Sequence, residues 1–127
     1  MTLFKWDNKY SVNIEDLDNQ HEALFDIMNK LYNNYMVKDN SNHIAPLLEE
    51  LVSYTNYHFA SEEINMKNKG YKDIDKHISE HTIFKERIYE LQQKNKNNIV
   101  VPLEYIGLYL GNWLINHVME EDKKYSI

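Results

Sequence analysis

Apolar residues recur every three or four positions in four separate stretches of this 127-residue chain, and that is the helix period. Leu17, Leu24, Met28, Leu31 and Tyr35 form the first stripe. Ile44, Leu47, Leu48, Leu51, Tyr54 and Phe59 form the second, and Ile74, Ile78, Phe84, Ile88 and Leu91 the third. Leu103, Ile106, Leu110, Trp113 and Leu114 form the fourth. The stripes predict helices over about 16–38, 42–67, 73–94 and 102–119. Residues 38–42 read as a turn, Gly70 fits a helix C-terminal cap, and 95–98 break the pattern. Pro46 is expected in the first turn of the second helix, where a missing N–H costs little.

Short connections make neighbouring helices antiparallel. The expected fold is therefore all-α: an up-down-up-down antiparallel four-helix bundle. One domain takes in residues 1–127, with an N-terminal arm over 1–15. Phe4, Trp6 and Tyr10 of the arm need a surface to pack on.

Composition removes several classes of function. A formal net charge of −6 argues against nucleic acid and anionic membrane as partners. With no cysteine, disulfides, thiol chemistry, iron–sulfur ligation and cysteine-zinc sites are excluded. The first residues hold no apolar run of signal-peptide length, and no stretch approaches the ~20 apolar residues of a membrane span. A cytoplasmic monomer is the expectation.

Five of the six histidines sit on the apolar stripes rather than on the polar faces between them. His21 lies between Leu17 and Leu24, His58 seven residues after Leu51, and His77 and His81 among Ile74, Ile78 and Phe84. His117 follows Trp113 by four. One buried histidine is ordinary, filling space and bonding a backbone carbonyl. Five are not, because each unpaired buried polar group costs roughly 1–3 kcal/mol against a total stability of only ~5–15 kcal/mol. A metal takes up such lone pairs best.

The topology brings these rings to one level. His21 is near the start of the first helix, His58 near the end of the second, His77 and His81 at the start of the third, and His117 near the end of the fourth. In an antiparallel bundle all five fall at one end, within about two helical turns. His43 falls at the opposite end, off the stripe, and reads as a surface residue.

Carboxylates accompany them. His58 and Glu62 are four apart and share a helix face, as do His77 and His81, whereas Glu63 is turned about 100° away. Asp122, five after His117, is expected just beyond the last helix, where an irregular turn would have to swing it inward. Glu120 and Glu121 are rivals on spacing alone, and all three suit a solvated acidic tail equally well.

Five imidazoles and two carboxylates exceed the four ligands of a tetrahedral zinc and suit two ions of higher coordination number. Imidazole does not select among iron, zinc, copper and nickel. Ferritin-like di-iron sites need Glu-x-x-His twice, and no glutamate precedes any histidine here by three. Few carboxylates and many imidazoles favour reversible binding of a small ligand over substrate oxidation.

Trp6-Asp7, Asp18-Asn19-Gln20-His21, His58-Phe59-Ala60-Ser61-Glu62-Glu63, His77-Ile78-Ser79-Glu80-His81 and the run from Trp113 through His117 to Asp122 together resemble the hemerythrins, in particular the single-domain bacterial ones. The likeness spans nearly the whole chain and includes seven ligand positions in order. It implies two iron ions (Fe2+/Fe3+) joined by an oxo or hydroxo bridge, with dioxygen as the reversible ligand. By that resemblance His77, His81 and His117 hold one iron, His21 and His58 hold the other, and Glu62 and Asp122 bridge them. The two-histidine iron keeps an open position for dioxygen. The resemblance also makes Phe59, Phe84, Trp113, Leu114 and Val118 the apolar wall of the oxygen pocket, although plain core packing would place the same residue types there.

Lys72 stands where a proline is common in the family, which concerns only the turn. Gly107 and Gly111 fall inside the fourth helix, each costing ~0.8–1.0 kcal/mol against alanine. Oxygen storage, delivery, scavenging or sensing without catalysis is the leading expectation. The alternatives are a di-iron enzyme, such as a peroxidase or a nitric-oxide-handling protein, and a structural zinc bundle.

Overall fold

The structure, a computed structural model, describes residues 5–37, 41–99, 101–102 and 104–122; side chains at 36, 37, 41–43, 108 and 120–122 are left aside. Phe4 and Leu103 lie outside the described residues. Three long helices, α1 (Glu15–Val37), α2 (Ser41–Asn68) and α3 (Ile74–Lys96), are followed by a fourth rod of mixed character. That rod runs through a π-helical stretch (Tyr105–Gly111), a short α-helix α4 (Asn112–Asn116) and a second π-helical stretch (His117–Asp122). No strand occurs among the described residues, and the all-α four-helix bundle expected from the stripes is the fold observed. None of the described helices is long and apolar enough to cross a membrane.

Helix ends follow local chemistry. α2 stops at a Schellman motif: Tyr71 N–H donates to the Met66 carbonyl and Gly70 N–H to that of Lys67, with Gly70 at φ +65°. α3 ends the same way around Asn98 (φ +56°), where Ile99 N–H donates to Lys94 and Asn98 N–H to Asn95. Asparagine tolerates this left-handed position better than most side chains. Pro46 sits one turn deeper in α2 than expected, because the helix already begins at Ser41. Its ring removes the bond that an N–H here would make to the carbonyl of residue 42.

The main core holds Leu24, Met28 and Leu31 of α1, Leu48, Leu51 and Phe59 of α2, and Phe84, Ile88 and Leu91 of α3. Ile106, Leu110, Leu114 and Val118 join it from the fourth rod. A second, smaller cluster of Val12, Leu17 and Met66, flanked by Ile14, Tyr71 and Ile74, closes one end of the bundle. The five stripe histidines lie between the two, a polar layer sandwiched by apolar ones.

The arm is fastened over that end. Asp18 accepts from Val12 N–H (2.8 Å) and from the Ser11 hydroxyl (2.6 Å), holding the chain leading into α1 against the helix's first turn. A 3-10 turn, Asn8–Tyr10, contacts the His117–Asp122 segment. Trp6 and Tyr10 both pack against Phe25, at 5.7 and 5.2 Å between ring centroids. Trp6 also reaches His21, at 6.4 Å.

Candidate metal centre

Glu62 organises the site. Its carboxylate has no exposed surface. Oε1 lies 2.9 Å from His58 Nε2 and 3.5 Å from His81 Nε2, and Oε2 lies 3.6 Å from His21 Nε2. Burial alone would push the Glu62 carboxyl pKa up. Attraction to His58 and hydrogen bonds from His21, His58 and His81 outweigh it, holding the group well below the usual carboxylate range. A carboxylate kept ionised in a dry interior needs cationic charge beside it.

Two groups of donors meet at this residue. In one, Glu62, His77, His81 and His117 bring their ligand atoms within 4.8 Å of one another; in the other, His21, His58 and Glu62 do the same. Every member of both groups is buried. Six of the seven residues expected as ligands are therefore together at one end of the bundle. For Asp122 the backbone is placed and the side chain lies outside the described ones. Rather than standing beyond the last helix, Asp122 is the end of the His117–Asp122 π-helical stretch. Its i→i+5 bonding makes each turn wider than that of a regular α-helix. His43 lies in the first turn of α2, with its side chain outside the described ones.

The outer nitrogens of three rings have partners that the spacing argument passed over. His58 Nδ1 meets Gln20 Oε1 at 2.8 Å, and His81 Nδ1 meets Glu63 Oε2 at 2.9 Å. His117 Nδ1 stands 3.2 Å from Glu80 Oε2, close enough for charge attraction though not aligned as a hydrogen bond. An oxygen at Nδ1 accepts a ring proton there, so a cation at Nε2 can take that nitrogen's lone pair in place of the proton it otherwise donates to Glu62. Gln20 is oriented in turn, its amide nitrogen donating to the Tyr57 hydroxyl at 3.4 Å. Glu63 is off the ligand face, as its 100° offset requires, and that offset lets it reach the outer side of a ring on α3.

The donors fit a pair of cations. His77 Nε2 and His117 Nε2 lie 3.1 Å apart. Adjacent ligands of an octahedral ion with bonds of roughly 2.1 Å are about 3.0 Å apart, whereas a tetrahedral zinc spreads its nitrogens to about 3.4 Å. An N–H···N hydrogen bond would have the same length in the ion-free protein. The fully buried Glu62 carboxylate, with the Nε2 atoms of His21, His58 and His81 all turned toward it, favours the first reading.

The residues expected as an oxygen-pocket wall surround these rings. Phe59, Phe84, Leu114 and Val118 are buried and Trp113 is half-buried. Phe59 lies parallel to His81, 3.7 Å between centroids, and edge-on to Phe84 at 6.0 Å. Trp113 stacks on Phe84 at 4.8 Å and on His117 at 4.7 Å. Gly107 and Gly111 both belong to the Tyr105–Gly111 π-helical stretch.

Fold and site together define a four-helix bundle with a buried histidine–carboxylate centre at one end. The family model "Hemerythrin HHE cation binding domain" matches residues 12–126. The chain is 32% identical to a bacteriohemerythrin of Methylococcus capsulatus over 99% of its own length and 96% of the relative's. It is 34% identical to one of Pseudomonas aeruginosa, over 98% and 80%, and 32% identical to a myohemerythrin of Theromyzon tessulatum, over 97% and 91%. A crystal structure of wild-type hemerythrin superimposes with a TM-score of 0.87 at 31% identity, covering 96% of this chain and 94% of that one. This chain belongs to the hemerythrin family.

Proposed function

We propose that the protein binds dioxygen reversibly at a non-haem di-iron centre held by His21, His58, Glu62, His77, His81, His117 and Asp122. The observation that carries this reading is the sharing of Glu62: one buried carboxylate stands between a three-histidine group and a two-histidine group. In this reading His77, His81 and His117 would hold one iron, His21 and His58 would hold the other, and Glu62 and Asp122 would serve both. When bound, two ferrous ions linked by an oxo or hydroxo bridge supply the electrons that dioxygen takes up and returns.

The rest is the work of the chain. Glu63 and Gln20 hold the Nδ1 protons of His81 and His58, keeping the Nε2 atoms available. Phe59, Phe84, Trp113, Leu114 and Val118 exclude water and protons, which slows irreversible oxidation. The reading includes a monomer in the cytoplasm. A formal charge of −6 supports the absence of nucleic acid among its partners.

The deciding experiment is an optical titration between anaerobic and air-saturated buffer on protein whose iron has been counted. Repeated gain and loss of colour at two irons per chain supports the proposal. Zinc with no colour in any redox state would replace it with a structural bundle, and rapid irreversible oxidation with turnover would replace it with an enzyme. His58→Ala and Asp122→Ala are expected to abolish the response, and His43→Ala to leave it unchanged.

A further inference from the structure

The partners at the outer nitrogens are not equivalent. Around the three-histidine group, His81 Nδ1 faces the Glu63 carboxylate and His117 Nδ1 faces that of Glu80. Around the two-histidine group, His58 Nδ1 faces the neutral amide oxygen of Gln20. Glu62 is common to both groups and cancels from the comparison. A carboxylate at Nδ1 draws the ring proton outward and makes Nε2 a stronger donor, while an amide holds the ring without adding charge.

We infer that Gln20 and Glu63 are positioning residues that set the two metal positions to different strengths: the carboxylate-backed position takes its ion first and holds it tightly, and the amide-backed position fills second and more weakly. The inference rests on the metal-centre reading above but goes beyond ligand number, because it assigns part of the difference to residues that touch no metal. Three observations make the assignment specific. The Gln20 amide spans two groups, its oxygen 2.8 Å from His58 Nδ1 and its nitrogen 3.4 Å from the Tyr57 hydroxyl. Gln20 is buried, which keeps water from levelling the difference between amide and carboxylate. Glu63 and Glu80 approach the three-histidine group from two different helices, so their charge does not depend on one side chain's rotamer.

The test uses isosteric exchanges and a metal titration that does not involve dioxygen. Metal-free native protein is titrated with Co2+, read by its visible absorption, in competition with a chelator of known affinity. The native chain should bind two ions in two resolved steps. Glu63→Gln keeps an acceptor oxygen for His81 while removing the charge, and should weaken the tight step about ten- to a hundredfold; Glu80→Gln should act in the same direction. Gln20→Glu should strengthen the weak step and narrow the gap between the two. A gain in affinity is not something structural damage produces, so this variant decides the matter even if Glu63→Gln folds poorly.

If Gln20→Glu leaves the weak step within twofold of native, or weakens it, the inference is wrong while the metal centre stands. Two steps of equal affinity in the native chain would also overturn it. Failure of the native protein to bind any Co2+ would instead remove the metal-centre reading, and the inference with it.

Discussion

Trp113 lies flat on His117, with ring planes within 9° of parallel and centroids 4.7 Å apart, and its other neighbour is Phe84 at 4.8 Å. The indole therefore closes one side of the histidine layer while keeping part of its own edge in solvent. Trp113→Ala is expected to shorten the lifetime of the oxygenated protein on the order of tenfold by admitting water, whereas Trp113→Phe should preserve most of it. The decay of visible absorbance in air measures both. An alanine variant that decays at the native rate would show that the stack is packing and nothing more.

Removing the metal should loosen the whole bundle. The donors come from all four rods, so an ion that binds only the folded chain stabilises it by about 4 kcal/mol at a thousandfold excess over its Kd. For a domain of this size that corresponds to roughly 10–20 °C in thermal midpoint. Calorimetry before and after chelation gives the difference. Unchanged midpoints would mean that the histidine layer is self-sufficient.

Asp18 fastens the arm with two hydrogen bonds, one to the Val12 backbone and one to the Ser11 hydroxyl. Asp18→Ala is predicted to destabilise the protein by about 2 kcal/mol. Asp18→Asn, which retains one acceptor oxygen, should lose less. Denaturant midpoints compare the three chains, and equal losses for both variants would argue against this latch.

The Tyr35 hydroxyl is buried with no hydrogen-bond partner among the described residues, and burial pushes its pKa up from 10.0 to about 12. A raised pKa means that the folded chain keeps a proton the unfolded chain gives up. The contribution is complete below pH 10 and is lost as pH climbs toward 12. Tyr35→Phe removes the orphaned hydroxyl and should be about 1 kcal/mol more stable at neutral pH, with a shallower alkaline decline. Urea melts from pH 7 to 12 provide the check. A clear loss of stability at neutral pH would reveal a partner for the hydroxyl.

The histidine layer was legible in the sequence because burying a polar ring is costly and the five rings kept the period of the apolar stripes. Antiparallel packing then fixed their common level without any knowledge of side-chain contacts. The outer partners were not legible. Gln20, Glu63 and Glu80 occupy positions beside the stripes, where polar residues ordinarily face water, and only the packing of neighbouring helices turns them toward a ring. The contact of Trp6 with His21 was hidden for a similar reason, since an arm has no period to read. Period also failed in the fourth rod. The stripe of Ile106, Leu110 and Leu114 looks α-helical, yet much of the backbone bonds i→i+5, a choice that Gly107 and Gly111 hint at without specifying.

Those wide turns carry spare length. Each is in effect an α-turn with one residue inserted, so losing a residue from 105–111 would let the backbone tighten while His117 kept its bearing. The same loss in the middle of α2 or α3 would swing everything downstream by about 100° and tear the donor groups apart. The final rod is thus where this architecture can absorb a change of length, and α2 and α3 are where it cannot.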